Sequence, residues 1–230
     1  MRMAGRDRTA NTPRRAVLFD LDGTLVDSAP DLAGAANDLL AEHGRDPMPY
    51  GALRPMASAG ARGLVGAAFG LGPGDDGFDV LRERFLQIYE GRLTRSTRLF
   101  DPVEPMLAAI EAAGMPWGIV TNKMARYTDP LVAHLGLDTR AAALVSGDTT
   151  PHAKPHPAPL FEAARRLGLE ASACVYVGDD RRDIEAGRAA SMLTVAVSWG
   201  YLGRGEAIEH WQADHVIDQP HELLKLLGLA

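Results

Sequence analysis

Five short apolar runs, at residues 16–19, 117–120, 142–145, 174–177 and 194–197, set the fold class of this chain. Each has the length and composition of a strand buried on both faces. The segments between the later runs are too long for hairpins and carry helical periodicity. Residues 105–114 place Met106, Leu107 and Ile110 on one face, 125–136 place Leu131, Val132 and Leu135, and 157–168 place Leu160, Phe161, Ala164 and Leu167. Each closes at a glycine, as a left-handed C-cap requires. Strands alternating with helices of this length mean crossover connections, hence an α/β fold around a parallel sheet. In such open sheets a ligand sits outside the carboxyl ends of the strands.

One interval breaks the rhythm. Between Asp27 and about Phe100 the pattern predicts only helices: one from Ser28 and Pro30 to Gly44, with Ser28 as its cap, one over 62–69, and one over 79–93. Gly70-Leu-Gly-Pro-Gly-Asp-Asp-Gly is a turn-rich connector between the last two. The expected organisation is a polar, Arg-rich, disordered tail over 1–14, an α/β core from 15–26 plus 101–230, and an inserted helical cap over 27–100. A cap placed directly after the first strand is a natural lid; extra structural helices are the plainer reading.

Bulk properties narrow the function. A net charge of −6 over 230 residues argues against nucleic acid as a partner, which requires a basic face. The lone Cys174 sits in an apolar run and reads as an inert buried thiol. The N-terminus lacks the apolar centre of a secretory signal, and no stretch is long and apolar enough to cross a membrane, so no membrane partner and a cytoplasmic location are expected.

Polar residues collect at the strand ends. The first run ends in Asp20-Leu-Asp22-Gly-Thr24, the second in Thr121-Asn122-Lys123, and the fourth in Gly178-Asp179-Asp180-Arg-Arg-Asp183; Lys154-Pro155 precedes a helix. Two carboxylates at one strand end repel unless a cation joins them, and oxygen ligands suit a hard ion such as Mg²⁺. Taken singly, Asp-Gly is a common turn, Thr121 and Asp179 are ordinary helix caps, and Lys154 is an ordinary surface charge. Their joint placement on one rim of a sheet makes that combination of plain readings poor. His152 and His156 are spaced like helical zinc ligands, but the prolines around them exclude a helix, so zinc is rejected and only a place in the pocket lining is left to them.

With these four motifs in this order, the chain from Arg15 onward resembles the haloacid dehalogenase superfamily of phosphotransferases with a small helical cap. Within it, Thr121-Asn122-Lys123 and Gly147-Asp-Thr-Thr…Lys154-Pro-His-Pro are similar to bacterial phosphoglycolate phosphatases, and equally to relatives that dephosphorylate N-acetylmuramic acid 6-phosphate. Ser191 stands where relatives usually have Gly, a change remote from the chemistry. The resemblance implies a Rossmann-like core and an aspartyl-phosphate on Asp20, with Asp22 moving protons as general acid and base. Mg²⁺ would be held by Asp20, the main-chain carbonyl of Asp22, and Asp179. Thr121 and the amide of Asn122 would bind phosphoryl oxygens, and Lys154 would orient Asp20. Asp22 argues against dehalogenation, because a halide leaves without a proton. Asp183 could face the metal through a water, and Asp180 points elsewhere.

Substrate choice is expected in the cap. Ala57-Ser-Ala-Gly-Ala-Arg62-Gly reads as a small-residue loop whose Arg62 either grips a substrate carboxylate or lies in solvent. Lys123 either reaches substrate or closes the phosphate pocket from outside. The expected partner is a small phosphorylated metabolite bearing a carboxylate. A phosphomutase passing the phosphoryl group to a sugar, and a non-catalytic binding protein, are the competing readings; the complete acid set disfavours the second.

Overall fold

The computed structural model describes residues 15–229, so the expected disordered tail over 1–14 lies outside the described residues. The elements in chain order are β1 (Ala16–Phe19), β2 (Val26–Asp27), α1 (Ala29–Glu42), α2 (Tyr50–Leu53), α3 (Gly60–Phe69), α4 (Phe78–Glu90), β3 (Arg98–Leu99), α5 (Val103–Ala112), β4 (Trp117–Val120), α6 (Ala125–His134), β5 (Ala143–Val145), α7 (Ala158–Arg166), β6 (Cys174–Gly178), α8 (Arg181–Ala189), β7 (Leu193–Val197), β8 (His215–Ile217) and α9 (Pro220–Leu226).

The main sheet is parallel throughout, in the order β5-β4-β1-β6-β7-β8. From β1 the chain runs outward through β4 and β5, then returns to the other side of β1 for β6, β7 and β8. The order therefore reverses beside β1, and the crevice at that reversal is the standard ligand position of an open α/β sheet. Asp20 follows the last residue of β1 at that point.

The two faces of the sheet are read out by alternation along β1 and β6. Val17, Phe19, Val175 and Val177 join one apolar cluster; Ala16, Leu18, Cys174 and Tyr176 join the other. The first cluster packs under α1, α4, α5, α6 and α9, and the second under α7 and α8. All four residues of β1 are fully buried, the condition that gives a parallel strand its continuous apolar run. Each large side chain so placed contributes roughly 1.5–3 kcal/mol.

The insertion is helical, with one addition: Val26–Asp27 pairs antiparallel with Arg98–Leu99. The expectation of no strand before residue 100 misses this two-residue ladder, which is too short to show any alternation. It ties together the two strands of chain that enter and leave the helical segment. Residues 57–63 are not a loop: a 3-10 turn over Arg54–Ala59 runs directly into α3. Ser28 stands at the start of α1 but makes no side-chain cap; its hydroxyl turns back to Asp22. Cys174 is buried, as expected. Five strands were expected in the sheet, and β8 is the sixth. His215-Val216-Ile217 escapes notice because it is an edge strand with two exposed residues. No helix among the described residues is long and apolar enough to cross a membrane.

Candidate active site

The carboxyl ends of β1, β4 and β6, the loop before α7, and helices α3 and α4 enclose a cavity of about 410 Å³. Its floor is acidic. Carboxylate oxygens of Asp20, Asp179 and Asp183 lie within 4.8 Å of one another, and all three residues are buried.

Lys154 lies among them, 3 % exposed at its side chain. Its Nζ is 2.8 Å from Asp20 Oδ1, 2.7 Å from Asp183 Oδ1, 2.9 Å from the Val120 carbonyl and 2.8 Å from the Tyr176 hydroxyl. Burial opposes the charge on this amine, yet Asp183 and Asp20 hold its pKa above the ordinary lysine value. Lys154 is fixed from behind by Asn122, whose carboxamide accepts from the Lys154 N–H and donates to its carbonyl, both at 2.9 Å. The Asn122 side chain is thus engaged in shaping the loop. The Thr121 hydroxyl accepts from the Lys123 N–H at 3.1 Å, leaving its own hydrogen to donate.

Asp179 is placed by two donors, Thr24 Oγ1 at 3.0 Å and the Tyr201 N–H at 2.7 Å. The chain must pass close to it: Gly23 has φ +90°, and a Cβ there would overlap the Asp179 carboxylate. Asp179 is pushed well above the ordinary carboxylate value by burial, then by Asp20 and Asp183. Asp20 is raised to about 7 by burial, with Lys154 opposing the rise. One lysine among three buried carboxylates leaves excess negative charge, and this donor set fits a hard divalent cation.

Asp22 belongs to a different environment. Its oxygens lie 2.9 and 3.0 Å from Lys123 Nζ, and Ser28 Oγ donates to Oδ1 at 2.5 Å. Lys123 also donates to the Tyr89 hydroxyl at 2.7 Å, which brings α4 to the reaction centre. Burial opposes the charge of Lys123, and Asp22 with Tyr89 more than offsets it. Lys123 is thus inside the site rather than a plug on its outer face.

Asp180 and Asp183 open α8. Asp180 accepts from the Arg182 N–H at 2.9 Å, and Asp183 accepts from the Asp180 N–H at 3.1 Å. Asp180 also accepts from the Ser58 hydroxyl and from the Arg182 guanidinium, whose other contact is the Ser58 carbonyl at 2.6 Å. Despite burial, Arg182 and Ser58 bring the Asp180 carboxyl down to about 2. Asp180 therefore clasps the 3-10 turn ahead of α3 to the sheet. Asp183 meets Lys154 directly and shares the acidic floor with Asp20 and Asp179.

Arg62 lines the cavity from α3, exposed, with no hydrogen bond or ion pair to any described residue. His152 and His156 lie against each other, ring centroids 4.4 Å apart and tilted by 34°, and line no part of the cavity, so their expected place in the pocket is not what the fold produces. The proline-rich segment turns them outward, and His156 Nδ1 accepts from the Ala158 N–H. Tyr89, Tyr176, Tyr201 and Arg82 were not foreseen. The first three act through partners remote in sequence, and Arg82 lies on the helix face that meets the cavity, with Phe85 and Tyr89.

The haloacid dehalogenase-like hydrolase model matches residues 17–197. The N-acetylmuramic acid 6-phosphate phosphatase of Pseudomonas aeruginosa is 42% identical over 216 residues, covering 94% of this chain and 96% of that one. A phosphoglycolate phosphatase of Xylella fastidiosa is 47% identical over 220 residues, covering 94% and 93%. A crystal structure from Haemophilus somnus, named as a predicted phosphoglycolate phosphatase, superposes with a TM-score of 0.81 at 29% identity, covering 92% of this chain and 97% of that one. The parallel sheet, the carboxylates at its reversal point and these likenesses over nearly the whole chain agree: the chain belongs to the haloacid dehalogenase-like hydrolases.

Proposed function

We propose that this chain hydrolyses a phosphate monoester through an aspartyl-phosphate on Asp20. The observation that carries this reading is the separation of the two neighbouring carboxylates. Asp20 faces Lys154 and the buried acid cluster, whereas Asp22 faces Lys123 and Ser28. Two acids with different partners can take different roles.

In the first step an Asp20 oxygen attacks phosphorus, the bond from phosphorus to the ester oxygen breaks, and Asp22 gives that oxygen its proton. In the second, water attacks phosphorus, Asp22 takes the water's proton, and the bond to Asp20 breaks, releasing inorganic phosphate. Lys154 holds Asp20 in place and balances its charge, and the Thr121 hydroxyl donates to a phosphoryl oxygen. Asp20, the main-chain carbonyl of Asp22, and Asp179 would hold Mg²⁺, with Asp183 completing the charge around them. When bound, Mg²⁺ neutralises the repulsion between Asp20 and the phosphoryl group. The excess of buried carboxylate over lysine supports this cofactor: burial raises the Asp20 carboxyl to about 7, and added positive charge would favour the ionised nucleophile.

The helical segment over 27–100 serves as the cap that selects substrate. Arg62, lacking a partner among the described residues, supports a carboxylate-bearing metabolite. Phosphoglycolate and N-acetylmuramic acid 6-phosphate, the compounds in the relatives' names, both have this chemistry. The test is phosphate release from a generic aryl phosphate by the wild type and Asp20→Asn. Loss of turnover in the variant, with reversible loss on chelation, is expected; full activity of the wild type in EDTA would defeat the reading.

A further inference from the structure

The 3-10 turn over Arg54–Ala59 belongs to the inserted helical segment, yet it reaches both flanks of Asp179. On one flank Arg54, half-buried, donates to the Trp199 and Gly200 carbonyls, both at 3.0 Å. Its guanidinium lies over the Tyr201 ring, 5.2 Å from the centroid. On the other flank the Ser58 hydroxyl donates to Asp180, and the Ser58 carbonyl accepts from Arg182 at 2.6 Å.

The residues that Arg54 grips are the ones that place Asp179. The Tyr201 N–H donates to Asp179 Oδ2 at 2.7 Å. The Trp199 indole N–H donates to the Thr24 carbonyl at 3.1 Å, and the Thr24 hydroxyl donates to Asp179 Oδ1 at 3.0 Å. Gly200, between them, lies so close that a Cβ there would overlap the Asp179 side chain. Both Asp179 oxygens are therefore set by a segment whose carbonyls are fixed by an arginine of the insertion. Water could satisfy those two carbonyls equally well, and Arg54 makes no ion pair with any described residue. What the arginine adds is geometry: a planar guanidinium holding two acceptors at once fixes the insertion against residues 199–201.

We propose that Arg54 is a positioning residue that couples docking of the 3-10 turn to Mg²⁺ binding at Asp179, each favouring the other. This rests on the reading of Asp179 as a metal ligand, and it gives the insertion a second task besides enclosing the cavity. When the turn lifts away, Arg54 leaves the Trp199 and Gly200 carbonyls, the segment carrying the Tyr201 N–H loosens, and Asp179 loses its fixed orientation. Such a coupling is reciprocal: what docking adds to Mg²⁺ affinity, Mg²⁺ adds to docking. The turn runs directly into α3, whose Arg62 lines the cavity, so the docked state also sets the cavity wall.

The test is calorimetric titration of Mg²⁺ into substrate-free wild type, Arg54→Met, Arg54→Lys and Arg126→Gln, at a temperature where all are folded. Arg54→Met is expected to weaken Mg²⁺ binding by about fivefold or more, the lower edge of typical coupling between sites. Arg54→Lys keeps the charge without the two-pronged grip and should fall between Arg54→Met and the wild type. Arg126→Gln breaks a different tie between insertion and core, the 2.7 Å pair with Glu90, which does not lead to Asp179. It should stay within about twofold of the wild type. In the wild type, amide hydrogen exchange over residues 54–59 should slow on adding Mg²⁺ without substrate, and in Asp179→Asn it should not. In turnover, Arg54→Met should regain most of its lost rate at high Mg²⁺, because affinity and not chemistry has changed. Wild-type Mg²⁺ affinity in Arg54→Met, or a loss no larger than that of Arg126→Gln, overturns the proposal. So does exchange over 54–59 that is indifferent to Mg²⁺, a result that stands even if Arg54→Met fails to fold. A wild type that takes up no Mg²⁺ defeats the metal assignment and the coupling together; normal wild-type binding with an unmoved Arg54→Met defeats the coupling alone.

Discussion

Lys123 Nζ lies 2.9 and 3.0 Å from the two oxygens of Asp22, so the proposed proton carrier is held from below by a buried ammonium. The same ammonium donates to Tyr89 of α4 at 2.7 Å. One side chain thus joins the acid of the first motif to the helix that walls the cavity, and a change in the position of α4 is felt at Asp22. Lys123→Met should lower kcat by about tenfold or more, since it leaves a partly buried carboxylate without its cation. Tyr89→Phe keeps the ion pair and removes only the tether, so a smaller loss of about two- to tenfold, expressed mainly in KM, is expected. Steady-state kinetics on both variants checks this; equal kcat losses would show that Tyr89 and Lys123 act as one unit.

The buried acid cluster works against stability. Asp179 is held well above the ordinary carboxylate value by burial and by its acidic neighbours, so its charge opposes folding when no cation is present. Asp179→Asn keeps the shape and both contacts: its carbonyl can accept from the Tyr201 N–H while its amide donates to Thr24 Oγ1. The metal-free variant should therefore be more stable than the wild type at alkaline pH. Its Tm is expected to lie above that of the metal-free wild type while turnover is lost. Thermal unfolding in EDTA measures it, and a lower Tm would mean that Asp179 is stabilising without metal.

The sheet and the acidic floor are legible in the sequence for one physical reason. A strand buried on both faces must be apolar, so a carboxylate can appear only where it ends, and the transition at Phe19-Asp20 is visible without a structure. Lys154 and Asp183 follow from their motifs. The tyrosines do not. Tyr176 sits inside an apolar strand and reads as core, yet its hydroxyl accepts from Lys154 at 2.8 Å. Tyr201 lies in an irregular segment after β7 and meets Ser28 across 173 residues of chain. Arg82 shares its helix with several charged residues that face solvent, and periodicity separates it from them only when the cavity's side of the helix is known. Such contacts depend on how elements pack, which local pattern does not encode.

Metal stabilisation should depend on pH in a definite direction. The raised value of Asp20, about 7, means that the folded metal-free protein keeps a proton that the unfolded chain releases near the ordinary carboxylate value. The folded state then binds more protons between about pH 4 and 7, so the stability of the metal-free protein falls as pH rises through that window. A divalent cation competes with that proton and binds best above it. The rise in Tm on adding millimolar Mg²⁺ should be small near about pH 5.5 and larger above about pH 7, and Asp20→Asn should weaken that dependence, leaving the part that Asp179 carries. A Tm increment that stays constant across this range would show that Asp20 does not exchange a proton for the metal.

The Tyr201 hydroxyl accepts from two main-chain donors at the start of α1, the N–H groups of Ser28 at 2.7 Å and Ala29 at 2.9 Å. These are orphan donors of a helix start, and Ser28 has no side-chain cap to offer because its hydroxyl is committed to Asp22. A tyrosine from the segment after β7 supplies the acceptor instead, and its own main-chain N–H positions Asp179. Tyr201→Phe leaves the N–H to Asp179 in place and strands two buried donors. The expected cost is about 2–3 kcal/mol of stability, a fall in Tm of roughly 4–12 °C. Because the loosened helix start adjoins Asp22 through Ser28, kcat should fall as well, while Mg²⁺ affinity, which depends on Asp179, should stay close to that of the wild type. Calorimetric unfolding and Mg²⁺ titration on the same variant separate the two effects, and a large loss of metal affinity would show that the hydroxyl, not only the main chain, holds Asp179 in place.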